Sequence, residues 1–401
     1  MYLAAVWGGL VSEQAPENTD LAILPVPLRT GGRLGSAAVA GAWAFWAGLL
    51  LLTALGRSWL DAPIAVSIGV SVLPYLFATF GALVFGLWCV VPDRRSLPVL
   101  MLAWVLSGAA LWSPSVGRSA APPDENSLRV ISWNVRRLWG SAPGVVTEAQ
   151  INAATKCVQG AIEEHHPDVL ILLEISSNDL QKLNALNLKC VQGDYYGTGG
   201  AESAGVAVCT RGSAALLRGA PRRFVDADPW SYVFAEVEYQ GEVFNVMGVH
   251  LEPYHSEAQA LKAGIHGIAQ GDPDGVLQLQ RAGESVVRAQ VDQSGALIDA
   301  LSRLQDPTLV GGDFNSTPDM ALHVNLRQIL QDTWLEGGRG FGTTARVLGQ
   351  LPVRIDYVYA TPGFHVLQTM VPDANCSDHR AVIADLRVEG MDDATVGVQE
   401  K

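Results

Sequence analysis

Charge disappears from three long stretches near the start of the chain. Leu34–Gly56 runs 23 residues without a charged side chain, Ala62–Pro92 runs 31, and Ser96–Gly117 runs 22. Arg57 and Asp61 separate the first two, and Asp93, Arg94 and Arg95 the last two. About 20 mostly apolar residues cross a bilayer as a helix, and helices in soluble cores rarely run so long without charge. The pattern predicts three transmembrane helices over residues 34–117. Trp43, Trp46, Trp88, Trp104 and Trp112 lie in or near the ends of these runs, where interfacial aromatics gather. Pro74 predicts a kink in the second. Residues 1–33 form an N-terminal segment whose apolar start is too short to span. The runs are too long and too late for a cleaved signal peptide.

Flanking basic residues set the orientation. Arg29 and Arg33 precede the first run, and Arg94 and Arg95 join the second to the third. Arg57 alone follows the first and Arg118 the third. The two doublets belong in the cytoplasm, so three crossings leave everything after Gly117 outside it. Residues 118–126 are small, polar and proline-rich, which reads as a linker.

Beyond the linker the pattern changes to alternating strands and helices. Leu128–Val135, Gly205–Thr210, Tyr232–Tyr239 and Val243–His250 read as strands, and Asp168–Glu174 and Pro307–Gly311 as strands buried on both faces. Val353–Tyr359, His365–Met370 and Ala381–Leu386 complete the set. Thr147–His165 and Glu284–Leu304 read as helices. Two strand-rich halves with helices between them predict an α/β sandwich of two packed sheets over residues 127–388, followed by a disordered tail over 389–401. Residues 252–283 show no strong periodicity, and a loop that long is functional or disordered.

Composition sharpens this picture. Charged residues make up 17% of the chain, against roughly 25% in an ordinary globular protein, and the deficit lies in the membrane part. The first 122 residues hold six of the 27 basic and five of the 40 acidic residues, leaving 21 and 35, a net of −14, in the rest. Such an acidic domain does not hold nucleic acid by broad phosphate neutralisation. Cys157, Cys190, Cys209 and Cys376 lack metal-like spacing. They are compatible with one or two disulfides or with four buried thiols.

Polar residues mark the ends of the apolar runs. Asn134 ends the first strand, Glu174 the second and His250 a later one. Asp313 and Asn315 follow the short strand in VGGDFNSTPD, Asp356 lies inside RIDYVY, and Ser377, Asp378 and His379 open the last strand. Singly, each has a structural explanation: a solvated carboxylate, a satisfied histidine, a turn closed by Asp or Asn. Together they form a set of hard oxygen donors with one or two histidines, which favours Mg²⁺, Mn²⁺ or Ca²⁺ over zinc. Such a set suits attack of water on phosphorus.

LRVISWNV, PDVLILLEI, NVMGVHLEP, LVGGDFNSTP, RIDYVYA and SDHRAV, in that order, resemble the successive motifs of the endonuclease/exonuclease/phosphatase (DNase I-like) superfamily over about Leu128 to Arg387. The resemblance implies a four-layered α/β/β/α sandwich and a Mg²⁺ cofactor, with Mn²⁺ as a substitute. It implies Glu174 as the main metal ligand, supported by Asn134 and Asp378. Asn134 and His250 would contact phosphate, Asp313 would position the attacking water, and Asn315 would steady the phosphoryl group. His379, oriented by Asp356, would act as acid or donor. Asn134-Val135-Arg136 departs from the Asn-x-Asn or Asn-x-Asp of many relatives and lacks an acidic ligand there; Arg136 could instead grip phosphate. Leu173 stands where Gln is common, and Val249 where Thr is common.

With three preceding spans, the layout is similar to VanJ-type teicoplanin-resistance membrane phosphatases. The expectation is a multi-pass membrane protein whose extracytoplasmic domain hydrolyses a lipid-linked phosphate or diphosphate. The alternative is an anchored extracellular nuclease or phosphodiesterase using a local patch of Arg218, Arg222 and Arg223. Partners are then the bilayer and the phosphorylated substrate, with no obligate protein partner implied.

Overall fold

The computed structural model describes residues 31–59, 66, 69–70, 73–90, 96–111, 122–124, 126–140, 146–194, 204–224, 231–253, 264, 266–267, 270–347, 351–373 and 376–388. The expected N-terminal segment before residue 31, most of the 118–126 linker, much of the 252–283 stretch and the 389–401 tail lie outside them.

The N-terminal part is a packed helical bundle: α1 (Gly31–Ser58), α2 (Leu73–Val90) and α3 (Leu97–Leu111). Among the described residues, α1, over Ser36–Ser58, and α2 are long and apolar enough to cross a membrane. Of the third expected span, the described residues form a 15-residue apolar helix, about 22 Å at 1.5 Å per residue; residues 112–117 of that run lie outside them. Pro74 falls in the first turn of α2, where a missing N–H costs no helical bond, so it is not a mid-helix kink.

Leu73, Phe77, Phe80, Val84, Leu97 and Leu100 form the bundle interior. Trp104 Nε1 donates to the Phe77 carbonyl at 2.9 Å and Trp46 Nε1 to Ser107 Oγ at 3.3 Å. Gly81 leaves room for the Trp104 ring, which a Cβ would meet at 2.2 Å. Outward faces remain apolar: Leu51, Leu83, Val90, Leu102 and Leu106 are all more than half exposed.

Two six-stranded sheets form the rest. The first has the order β13-β14-β1-β2-β4-β3, from β1 (Leu128–Asn134), β2 (Val169–Ile175), β3 (Lys189–Asp194), β4 (Gly205–Thr210), β13 (Phe364–Met370) and β14 (Val382–Val388). The second has the order β5-β6-β7-β8-β12-β9, from β5 (Ala214–Arg223), β6 (Ser231–Tyr239), β7 (Glu242–His250), β8 (Thr308–Asp313), β9 (Gln331–Asp332) and β12 (Asp356–Ala360). A small hairpin of β10 (Ala345–Val347) and β11 (Leu351–Val353) stands apart.

Each sheet contains one parallel pair, β1–β2 and β7–β8. Parallel neighbours need a crossover connection. Here α4 (Glu148–His165) crosses from β1 to β2, the short α5 (Ser177–Lys182) follows β2, and α6 (Pro273–Ser302) crosses from β7 to β8. Alternating residues explain the layers. Val130, Ile171, Val206, Val246 and Leu309 face the space between the sheets. Ile131, Trp133, Leu170 and Leu172 face outward onto Val158 and Ile162 of α4. Met247, Val249 and Val310 face outward onto Leu297 and Leu301 of α6, and onto Leu322 and Leu326 of α7 (Ala321–Leu326). The layers are α/β/β/α.

The helix expected at Glu284–Leu304 starts at Pro273, capped by Asp272, so the end of the supposed loop is helical. Its exposed first turns, rich in Gln and Gly, blur the helical period. Strands β3, β5, β9, β10 and β11 were not expected. β5 carries Gly219 and Pro221 on an edge, the one place in a sheet that tolerates proline.

Two disulfides form, Cys157–Cys376 and Cys190–Cys209. The first ties α4 to the turn before Ser377, and the second crosses from β3 to β4. Cys89 in α2 is a free thiol.

Candidate active site

The four parallel strands end together at one end of the sandwich and carry Asn134, Glu174, His250 and Asp313 as their last or nearly last residues. Asp356 opens antiparallel β12, in register with Asp313. His379 lies in the turn before β14. Carboxyl ends of parallel strands are where α/β proteins assemble sites.

Local backbone distortions aim the side chains. Glu174 sits at a register shift between β2 and β4 with φ 51°, so an extra residue turns its carboxylate toward the cluster. Gly312 passes so close to β7 that a Cβ would meet the Val249 carbonyl oxygen at 1.8 Å. Asn315 is also left-handed, at φ 48°. Its backbone N–H donates to Asp313 Oδ1 at 2.9 Å and its Nδ2 to the Leu251 carbonyl at 2.9 Å.

The expected residues converge. Asn134 Nδ2 donates to Glu174 Oε1 at 3.0 Å and to Asp313 Oδ2 at 3.1 Å. Asp313 Oδ2 lies 3.7 Å from both His250 Nε2 and His379 Nδ1. His379 Nδ1 is 2.9 and 3.2 Å from the two Asp356 oxygens. Asp313 and Asp356 are buried and Glu174 half-buried.

Burial alone would lower the His379 pKa, but the Asp356 and Asp313 carboxylates raise it to about 10. It is therefore an imidazolium at neutral pH. Burial, and then the Asp356 charge, raise Asp313 above the usual carboxylate range.

Two residues stand at the rim. Asp378 is exposed; its carboxylate lies 3.3 Å from Arg136 Nε and accepts from Ser377 Oγ at 3.3 Å. Arg136 also donates from Nη1 to the Gly140 carbonyl at 3.0 Å. The guanidinium expected to grip phosphate thus reaches Asp378 and backbone here. Sequence reading missed the scaffold behind the pair. Thr344 Oγ1 accepts from the N–H groups of Ile355 and Asp356, both at 3.1 Å, and the Arg380 N–H donates to the Thr344 carbonyl at 2.7 Å. Trp133 Nε1 donates to the His379 carbonyl at 3.0 Å. No pattern distinguishes that threonine from its neighbours in the sequence.

Asp313, Asp356 and His379 place ligand-type atoms within 4.8 Å of one another. His379 Nδ1 is held on the Asp356 carboxylate, an arrangement suited to moving a proton. The fit for a metal lies beside it. Two carboxylates, Glu174 and Asp313, share the single amide of Asn134, which concentrates negative charge. The Asn134 amide oxygen accepts the Arg136 N–H at 3.0 Å and keeps a second lone pair, and Asp378 stands at the rim; with Glu174 these are oxygen donors, the kind that suits a hard divalent ion.

The profile of the Endonuclease/Exonuclease/phosphatase family matches residues 131–379, more than half of the chain. An endonuclease/exonuclease/phosphatase from Bacteroides vulgatus superposes with TM-score 0.50 at 18% identity, covering 66% of this chain and 100% of its own. One from Beutenbergia cavernae gives 0.46 at 23% identity, covering 66% and 72%. The human Nocturnin catalytic domain with bound sulfate gives 0.46 at 15%, covering 68% and 96%. A search of curated protein sequences gives no match. The ordered strand-end motifs, the sandwich and the family match agree: this chain belongs to the Endonuclease/Exonuclease/phosphatase family and is a metal-dependent phosphoric ester hydrolase.

Proposed function

We propose that the protein is a membrane-anchored, Mg²⁺-dependent phosphoesterase acting outside the cytoplasm on a phosphate or diphosphate carried by a membrane lipid. Mn²⁺ would substitute, and the layout resembles VanJ-type phosphatases. One observation carries the reading: the helical bundle grips the catalytic domain at the end where the site opens. Arg57, in the last turn of α1, donates from Nη2 and Nε to Asp319 Oδ1 at 2.5 and 3.1 Å. Asp319 belongs to the GDFNSTPD loop that carries Asp313 and Asn315. Tyr75, in the first turn of α2, donates to the Pro352 carbonyl, four residues before Asp356.

The same contacts bear on orientation. The domain meets the C-terminal end of α1 and the N-terminal end of α2, the helix ends farther in sequence from the Arg29/Arg33 and Arg94/Arg95 pairs. Basic loops stay in the cytoplasm, which favours a domain outside. Two disulfides point the same way, since they persist in oxidising compartments.

Glu174, Asn134 and Asp378 would hold the cation. When bound, the ion would neutralise charge on the phosphate oxygens. The chain's own groups supply the rest. Asp313, made more basic by burial, takes a proton from the attacking water as its oxygen bonds to phosphorus. The P–O bond to the leaving group breaks, and the imidazolium of His379, oriented by Asp356, gives that oxygen a proton. His250 and Asn134 line the phosphate position, and Asn315 stiffens the loop that carries Asp313.

Nucleic acid fits less well. The domain is strongly acidic, and the β5 arginines are partly engaged: Arg218 pairs with Glu236, and Arg222 lies over Phe234 at 4.8 Å. The test uses the full chain in nanodiscs, with lipid-linked phosphate, lipid diphosphate and plasmid DNA offered in Mg²⁺ or EDTA. Phosphate release from a lipid substrate that stops in EDTA is expected. Nicking of DNA with no release from lipid would replace this reading with the nuclease.

A further inference from the structure

The loop from Gly338 to Arg346 is the rim of the site nearest the bundle. Its Thr344 braces Asp356 and Arg380 on one side. On the other, Arg346 is paired in register with Pro352, the residue that Tyr75 of α2 contacts. At its tip Phe341 is 66% exposed, the most exposed of the large apolar side chains outside the bundle among the described residues. Gly340 and Gly342 flank it with φ 83° and 60°, and the turn is seated on Trp334, whose Nε1 donates to the Gly340 carbonyl at 3.2 Å. The turn thus presents an aromatic outward from a braced base. Arg339 and Arg346, both exposed, stand on either side of it.

The level of this loop follows from the helix ends. Trp59 closes α1, 42% exposed and two residues beyond Arg57, and Tyr75 opens α2. Trp and Tyr concentrate where hydrocarbon gives way to headgroups. The Arg57 and Tyr75 contacts with the domain lie at that level, and the β10–β11 pair extends the second one toward the Phe341 turn. An exposed aromatic between two arginines is the composition that binds an anionic lipid interface.

We propose that the 338–346 loop is a membrane-contacting element. Phe341 inserts at the headgroup boundary and Arg339 and Arg346 meet anionic headgroups, so that the His379–Asp356 side of the site is held against the bilayer surface. This rests on the membrane-anchored reading and adds to it a partner, the lipid surface, for a loop no catalytic role employs.

The experiment labels single cysteines with an environment-sensitive fluorophore in the full chain carrying Cys89→Ser. Phe341→Cys is the test site, Leu51→Cys in α1 the membrane control and Val243→Cys, at the start of β7, the far-end control. Proteins sit in vesicles of phosphatidylcholine with phosphatidylglycerol, and a lipid-borne spin label is compared with aqueous iodide. The lipid quencher is expected to remove most of the emission at 341 and 51 and to leave 243 unchanged, with a blue shift at 341. Emission at 341 quenched by iodide but not by lipid, while 51 is lipid-quenched, overturns the loop proposal alone. Failure to quench at 51 overturns the membrane reading and the proposal with it. Shielding of 341 by single-stranded DNA and not by lipid assigns the loop to a nucleic-acid substrate and also overturns it.

Discussion

Two histidines, His379 and His323, are held in opposite charge states. His379 faces Asp356 and Asp313, and these carboxylates raise its pKa to about 10 against the opposing effect of burial. His323, in α7, is fully buried. Its Nε2 lies 2.8 Å from Ser316 Oγ, its Nδ1 lies 2.8 Å from the Tyr359 hydroxyl, and its ring stacks on Tyr357 with centroids 4.1 Å apart. Its charged neighbours are Arg327 and Arg354, the latter in a two-pronged pair with Asp332 at 2.8 Å. Burial first, and then the two arginines, hold the His323 pKa well below the usual value. The same side chain is thus a cation at neutral pH in one place and a neutral packing element in the other. Neighbouring charge decides which: the first arrangement suits chemistry, the second suits support.

The largest expected effect separates these roles by turnover. His379→Ala and Asp356→Asn should each lower kcat by about 10²–10⁴-fold, the range for loss of a positioned proton donor, with unchanged circular dichroism. His323→Gln should keep most of the turnover per folded molecule. Equal losses in all three variants would erase the distinction.

Next in size is stability. Arg354→Met leaves the buried Asp332 carboxylate without its guanidinium, at a cost of roughly 3–5 kcal/mol. Calorimetry should show a marked fall in Tm, while activity per folded molecule below the transition stays near normal. An unchanged Tm would mean that Asp332 is satisfied without Arg354.

The smallest effect is in pH. His323 stays neutral in the folded protein and takes a proton near the ordinary pH of 6.5 when unfolded. The unfolded chain therefore binds more protons below that pH. Its contribution is fully present above pH 6.5 and declines as pH falls, by about 1.4 kcal/mol per unit. Denaturant titrations from pH 7 to 5 should show this slope in the parent protein and a shallower one in His323→Gln. Parallel slopes would return His323 to the ordinary range.

The site was more legible in the sequence than its support. Asn134, Glu174, His250 and Asp313 end apolar runs, and a polar residue at the end of a buried strand is visible as a break in pattern. Asp356 showed itself as a carboxylate inside an apolar run. His323 had no such signal, because its partners, the hydroxyls of Ser316 and Tyr359, are ordinary in type and follow no pattern with it. The sandwich was legible where strands are buried and illegible at edges such as β5, where exposure removes the alternation. The Arg57–Asp319 pair joins residues 262 apart, and no local pattern records such a contact.

The Cys157–Cys376 bridge bears on anyone who sets out to make this protein. Its second half-cystine is three positions upstream of His379, so a preparation from a reducing host, or one stored with thiol reagents, loosens the turn on which that histidine stands. Material routed through an export pathway, and assayed without reductant, is the sample whose specific activity describes the native enzyme.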